Sequence, residues 1–271
     1  MILWCDGAHD AAVNMARDVA LLARAESGAE PVLRLFRFAP AGITLGASQC
    51  PGRELDLDAC ARDGIGWAVR PTGGRGIFHA EEWTYALATP IDDPDWGGSR
   101  AVAYDRVSRL LVASLERLGV PAVLAQGTLR GGGAGGEGPR SPQGPAAPCF
   151  ASTARHEVVL EGRKLVGSAQ RRTLHALLQQ GSVLLGDGHL RLADYLPLAA
   201  GERERVRVAL AASAANAGHW LGGDAPLERW ADALLALLPA GTRRVATLEG
   251  GIPLTPGEPG PYTRPSPQVE A

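Results

Sequence analysis

Apolar positions recur at helical spacing near the start of the chain: Val13, Ala16, Ala20 and Ala23 fall three to four residues apart. Asp10 stands where an N-cap belongs and Gly28 stops the run, so a helix is predicted over 10–26. The period then changes. Val32–Phe38 is rich in strand formers but alternates only in part, and Ile43–Leu45 reads as a second strand after the Pro40-Ala-Gly42 turn. Residues 54–63 suit a short helix ended by Gly64. Trp67-Ala-Val69 leads into a glycine cluster, Gly73-Gly-Arg-Gly76, and Trp83–Ala88 leaves it as a strand. The best helix spans 101–118, with Val107, Leu110, Leu111 and Leu115 on one face and Gly119 and Pro121 beyond it. Later, His156–Leu160 and Lys164–Val166 flank Glu161-Gly162, a strong hairpin signal. Leu177-Leu178 and Ser182–Leu185 add strand, and 202–214 and 226–237 are helical. No internal repeat is visible. Strands that come partly as hairpins and partly between helices predict an α+β fold, a mixed β-sheet with flanking helices.

Composition changes this picture at the two ends of the second half. Gly 35 and Pro 20 make up about a fifth of the 271 residues, against a usual ~12% for the pair. Eleven of the eighteen residues 131–148 are Gly or Pro and none is a large apolar residue. Such a segment buries too little surface to offset its ordering entropy, so a mobile loop is expected there. The proline-rich stretch 250–271 is expected to be a disordered tail. Residues 1–249 are then expected to form one domain, with helices over its C-terminal part, 190–249.

Hydrophobic residues make up 45% of the chain, enough for a sizeable core. Lys+Arg 27 against Asp+Glu 29 leaves a net charge of −2, with none of the global basic field of a nucleic-acid binder. The start, Met-Ile-Leu-Trp-Cys-Asp-Gly, has neither the basic nor the apolar stretch of a secretory signal. No run approaches the ~18 apolar residues of a membrane span. A cytoplasmic protein with no membrane or nucleic-acid partner is therefore expected. Cys5, Cys50, Cys60 and Cys149 include no C-x-x-C pair, so free thiols and no metal site are expected.

Three places carry candidate chemistry. The first is Arg70-Pro-Thr-Gly-Gly-Arg-Gly-Ile-Phe-His79. It lacks the G-K-[ST] of a Walker loop, yet glycines between two arginines let backbone approach a ligand and offer N–H groups to a carbonyl or carboxylate. A hairpin turn with surface arginines fits the same residues. The second is Gly162-Arg-Lys-Leu-Val-Gly-Ser-Ala-Gln170, where Lys164 opens a strand and Gly167-Ser-Ala169 leaves room for a ligand against backbone. An edge lysine beside a turn fits equally. If that strand alternates, Lys164 and Val166 share a face. The third is Cys149, between the glycine-rich loop and Phe150, where a substrate can reach it; Cys60, in a helix, reads as core. A nearby ammonium would raise the thiolate fraction of such a cysteine. Gly131-x-Gly133-x-x-Gly136 matches a dinucleotide fingerprint but opens no helix and sits in no βαβ unit.

Taken in order, these pieces resemble the biotin/lipoate protein ligase family. The likeness starts at Asn14-Met-Ala-x-Asp18 and runs through Leu33-Arg-Leu-Phe-Arg37, Thr44-Leu-Gly46 and Arg70–Gly76 with His79. It closes with Cys149-Phe-Ala-Ser, Glu157, Gly162-Arg-Lys164, Gly167-Ser-Ala-Gln170 and Gly181-Ser182. Within the family the chain looks most like the cysteine-dependent octanoyltransferases of the LipM type, where a cysteine stands fifteen residues before the lysine, as Cys149 does to Lys164. The departures are Ile77-Phe78 after the loop arginine, Arg155-His156 before the glutamate, and the Gly/Pro-rich loop before Cys149.

The resemblance implies the family's catalytic-domain fold and a double displacement without ATP or other cofactor. Cys149 would take octanoyl from octanoyl-acyl carrier protein as a thioester. The acceptor would be a lysine of a lipoyl-domain protein, such as glycine cleavage H protein or a 2-oxoacid dehydrogenase E2. Lys164 would lower the Cys149 pKa and hold the acyl carbonyl. Arg70, Thr72, Gly73, Gly74, Arg75, Gly76, His79, Gly167, Ser168 and Ala169 would form the acyl site. Arg171-Arg172 is a candidate basic patch for acidic protein substrates, although paired surface arginines are usually only solvated. An ATP-dependent lipoate ligase and a lipoyl amidotransferase of the same fold are the alternative readings.

Overall fold

The computed structural model describes residues 1–125 and 157–248. Cys149, the Gly/Pro-rich segment 131–148 and the tail from Gly250 lie outside the described residues.

The chain opens with strand β1 (Ile2–His9), for which the sequence pattern gave no expectation, and helix α1 (Ala11–Glu26). Asp10 caps that helix as expected: its Oδ1 accepts from the Val13 N–H at 2.8 Å. Strands β2 (Val32–Phe38) and β3 (Gly42–Leu45) follow, then short helices α2 (Pro51–Glu54) and α3 (Leu57–Arg62), the second capped by Asp56. Next come β4 (Gly66–Val69), β5 (Ile77–His79), β6 (Glu82–Pro90) and the long helix α4 (Arg100–Arg117). After β7 (Val123–Leu124), the hairpin β8 (Val158–Leu160) and β9 (Arg163–Lys164) turns on Glu161 and Gly162, both with positive φ, 52° and 76°. That backbone is what a two-residue hairpin turn requires. β10 (Val166–Arg172) and β11 (Ala176–Leu184) come next; the two apolar runs expected separately in this region are one nine-residue strand. A 3₁₀ segment (Gly188–Tyr195) leads to α5 (Ala200–Ser213), α6 (Gly218–Leu221) and α7 (Leu227–Leu235). The C-terminal part is not only helical: β12 (Arg243–Val245) returns to pair in parallel with β1.

The main sheet has six strands in the order β10-β11-β6-β2-β1-β12, antiparallel from β10 to β2 and parallel from β2 to β12. Two three-stranded sheets flank it, β4-β3-β5 and β7-β8-β9. The α+β expectation holds. Pleating divides the main sheet into two faces. Leu33, Leu35, Trp83, Tyr85 and Leu87 face α4 and α7, where Trp230 stacks on Trp83 at 5.3 Å. Val32, Phe36, Ala86 and Ala88 share a cluster with Met15, Leu21 and Leu22 of α1.

The buried face of α1 differs from the one the apolar spacing predicts. Val13, Ala16 and Ala20 are half-buried and Ala23 is exposed. The buried side carries Ala11, Met15, Leu21, Leu22 and Ala25 together with Asn14, Arg17 and Asp18. The reason lies opposite, in β2. Between Val32 and Phe36 the pleat points Arg34 at α1, and its side chain is 0% exposed. Its guanidinium donates to Asp18 Oδ1 at 2.6 Å, Asp6 Oδ2 at 2.7 Å, and Asn14 Oδ1 at 2.7 Å. It lies 3.8 Å from the centroid of the Phe36 ring. Arg17 donates to the other oxygen of Asp6. A buried charge of this kind persists only when fully paired. Burial pushes the Asp18 carboxyl above its usual range, against the pull of Arg34.

Removing the centre of this network should cost more than any single apolar truncation nearby. Arg34→Met leaves Asp6 and Asp18 buried without their shared cation, and urea unfolding should show a loss of about 3–5 kcal/mol. An unchanged midpoint would refute the role given to Arg34.

Candidate active site

A small, partly enclosed cavity opens where the main sheet meets β4-β3-β5. Its walls come from Met15 of α1, Phe38 at the end of β2, Thr44 of β3, Arg70, Ile77 and His79 around β5, Thr84 of β6, Gly167–Ala169 of β10 and Gln180–Ser182 of β11. Parts of two of the three sequence segments singled out for chemistry thus share one space, Arg70, Ile77 and His79 of the first and Gly167–Ala169 of the second, while Lys164 and residues 72–76 are not in its lining. The third, Cys149, lies outside the described residues.

The loop 70–76 is held by its own first residue. Arg70 is buried. Its guanidinium donates to the carbonyls of Gly73 at 2.8 Å and Arg75 at 2.8 Å, and to the Thr44 carbonyl at 3.2 Å. Arg70 is therefore a clamp on the loop and not a surface arginine beside a hairpin turn. Gly74 has φ +98°, and Gly73 and Gly74 are exposed. Gly46 matters as much: a Cβ there would sit 2.0 Å from the Gly74 carbonyl oxygen. Thr72 ties the loop to α1 through a residue the sequence reading missed. Its hydroxyl donates to Gln180 Oε1 at 2.7 Å, and the Gln180 amide donates to Asp18. The Arg34 network and the loop are thereby one hydrogen-bonded system.

His79 is buried in the cavity wall, its ring stacked on Phe38 at 3.9 Å with 10° between planes. Nε2 lies 2.7 Å from Thr44 Oγ1 and Nδ1 lies 2.5 Å from Glu82 Oε1. Glu82, absent from the expected site, also accepts from the hydroxyls of Thr84 at 2.8 Å and Ser182 at 3.0 Å. Sequence spacing offered a signal for it only in hindsight, since Glu82 and Thr84 share a face of one strand.

On β10, Ser168 Oγ lies 2.8 Å from the Tyr85 hydroxyl, whose pKa burial pushes up to about 12. A Cβ on Gly181 would come within 2.6 Å of the Tyr85 ring and 2.7 Å of Ser168 Oγ, so Gly181 is what allows β10 and β11 to close over this pair. Lys164 is buried, and its Nζ donates to Glu157 Oε1 at 2.6 Å. The shared face expected for Lys164 and Val166 does not exist: the strand breaks at Leu165. Lys164 pairs with Val159 in one sheet and Val166 with Val183 in another. Cys60 is core, as expected, and burial pushes its thiol up to about 11. Arg171 and Arg172 are not simply solvated: they donate to the carbonyls of Pro71 and Gly98. No helix among the described residues is long and apolar enough to cross a membrane.

The model of the lipoyl protein ligase A/B catalytic domain matches residues 10–238. The chain belongs to that family. Among its relatives, the octanoyltransferase LipM of Kyrpidia tusciae is 38% identical over 180 residues, 66% of this chain and 64% of that protein. The octanoyltransferase LipM of Symbiobacterium thermophilum is 34% identical over 247 residues, 90% of this chain and 84% of that one. The match thus spans slightly under two thirds of the length of the K. tusciae relative. In structure, a chain from an archaeal lipoylation system of Thermoplasma acidophilum, a bi-partite lipoate protein ligase and its E2 lipoyl domain, superposes with TM-score 0.64 at 18% identity. It covers 90% of this chain and 88% of its own. The α+β architecture is therefore the lipoyl protein ligase fold.

Within that fold the loop depends on a glycine outside it. Gly46→Ala should push Gly74 off the Arg70 clamp and cost about 1–3 kcal/mol in urea unfolding. A variant as stable as the parent, with the same protease resistance in 70–76, would show that the contact is not tight.

Proposed function

We propose that this protein is an octanoyl-[acyl carrier protein]:protein N-octanoyltransferase of lipoate biosynthesis, acting through a thioester on Cys149. One observation carries the reading. Lys164, the lysine of the Gly162-Arg-Lys164 motif, is buried against Glu157 at the end of β9, three residues before Gly167–Ala169 of the cavity wall on β10. Burying an ammonium is costly unless it is paired, and a surface edge lysine has no reason to bear that cost. The names of the LipM relatives, at 34–38% identity, support the same reading.

The reaction proceeds by two exchanges. The Cys149 thiolate attacks the donor thioester carbonyl. The bond to the carrier's phosphopantetheine sulfur breaks, and that sulfur takes up the proton Cys149 gave up. The ε-amine of the acceptor lysine then attacks octanoyl-Cys149. A C–N bond forms, the C–S bond breaks, and a proton returns to the cysteine sulfur. Thioester exchange is close to neutral in energy and conversion of a thioester to an amide is downhill, so no nucleotide is consumed. The Lys164 ammonium favours the thiolate and polarises the acyl carbonyl. The backbones of Gly73-Gly74 and Gly167-Ser168 border the acyl chain and the oxyanion. Arg70 and Thr72 hold the loop in the shape that does this, and Arg75 and Gly76 complete it.

The donor is octanoyl-acyl carrier protein and the acceptor a lipoyl domain, both met in the cytoplasm. Residues 1–249 form the one catalytic domain that serves them.

An ATP-free assay with octanoyl-carrier protein and an apo lipoyl domain tests the proposal. Cys149→Ala should abolish transfer, and the parent enzyme mixed with donor alone should carry an octanoyl adduct on Cys149 by peptide mass spectrometry. Lys164→Ala should lower the rate by about 10²-fold or more. Transfer that survives Cys149→Ala, or that requires ATP, sinks the reading; the second result favours the ligase. At pH 7, alkylation by iodoacetamide should reach Cys149 well before Cys60, whose thiol is buried and held near 11.

A further inference from the structure

We propose that Glu82 is a positioning residue that sets the tautomer and plane of His79 and, through Thr44 and Arg70, the shape of the glycine loop; this rests on reading the cavity as the acyl site. Three donors converge on one Glu82 oxygen. The Thr84 and Ser182 hydroxyls donate to Oε1 at 2.8 and 3.0 Å, and His79 Nδ1 lies 2.5 Å away. Glu82 is 1% exposed, so no water competes. A carboxylate oxygen accepts and does not donate, so the proton of that third contact sits on Nδ1.

The other side of the ring is then fixed. Thr44 Oγ1 accepts from the Arg70 guanidinium at 3.3 Å and lies 2.7 Å from His79 Nε2. In the neutral ring, whose one proton sits on Nδ1, Nε2 accepts the hydroxyl proton of Thr44. A directed chain results: Arg70 to Thr44, Thr44 to His79, His79 to Glu82. Its far end is the group that holds the Gly73 and Arg75 carbonyls. Glu82 does not line the cavity; His79, Thr44, Thr84 and Ser182 do. With their polar atoms engaged in this chain, these four present a fixed wall to a ligand. Stacking on Phe38 holds the ring in plane but leaves its two nitrogens equivalent to a flip. Glu82 removes that equivalence.

The test uses the full chain with ¹⁵N-labelled histidine and two substitutions at one position. In the parent, Nδ1 of His79 should give a one-bond coupled ¹⁵N–¹H signal. Glu82→Leu removes the acceptor: that signal should vanish, and kcat/KM for octanoyl transfer should fall about tenfold to a hundredfold. Glu82→Gln restores an oxygen at the same place and should recover the signal and most of the loss. Thr44→Val, which keeps the shape of Thr44 and leaves Glu82 in place, should keep the Nδ1 proton. An unprotonated Nδ1 in the parent, a Gln variant as impaired as Leu, or loss of the Nδ1 proton in Thr44→Val each overturns the assignment. The nuclear magnetic resonance result stands even if the parent transfers no octanoyl group, so failure of the functional reading and failure of this one are told apart. Thr44→Val decides the matter even if Glu82→Leu does not fold.

Discussion

A guanidinium with no access to water organises this molecule. Arg34 projects from a central strand into the layer between the main sheet and α1, where an apolar residue would ordinarily pack. Once it is there, the chain must supply anions and acceptors around it: Asp6 from β1, Asn14 and Asp18 from α1. Those partners fix the rotation of α1 on the sheet more tightly than apolar contacts would, because hydrogen bonds are directional. Asp18 then has a second oxygen to offer, and Gln180 uses it to reach Thr72. The position of the glycine loop is a consequence of where one charge is buried.

This dependence explains what the sequence reading could and could not see. Helix α1 was legible in extent, since Asp10 and Gly28 mark its ends. Its buried face was not, since the face is chosen by charges whose partners are on other strands. The hairpin at Glu161-Gly162 was legible because turn chemistry is local. β1 and β12 were not: β12 has three residues, and its place is decided by the parallel edge of β1, far away in the chain. Thr72 and His79 could be singled out as candidates from the motif alone. Glu82 and Gln180 could not, because nothing in their neighbours in sequence tells which loop or ring each one meets.

Three glycine contacts, two in the loop 70–76 and its support and one in the cavity wall, make a related point. Gly46, Gly74 and Gly181 lie on different elements and act in different ways. Gly74 supplies a backbone conformation, whereas Gly46 and Gly181 supply the absence of a side chain where two strands of backbone come together. The high glycine content of the chain thus includes residues that are structural in the strictest packing sense, beside those of the segment 131–148.

Strand β6 carries two unrelated duties on its two sides. Trp83, Tyr85 and Leu87 build the core under α4 and α7, while Glu82 and Thr84 serve the cavity. Because the pleat alternates strictly, the strand behaves like a reading frame. A single inserted or deleted residue would bring a tryptophan to the histidine and a carboxylate to the core in the same stroke. Evolution can therefore exchange residues within either track of this strand independently, but it cannot change the strand's length upstream of its partners without losing both fold and site together.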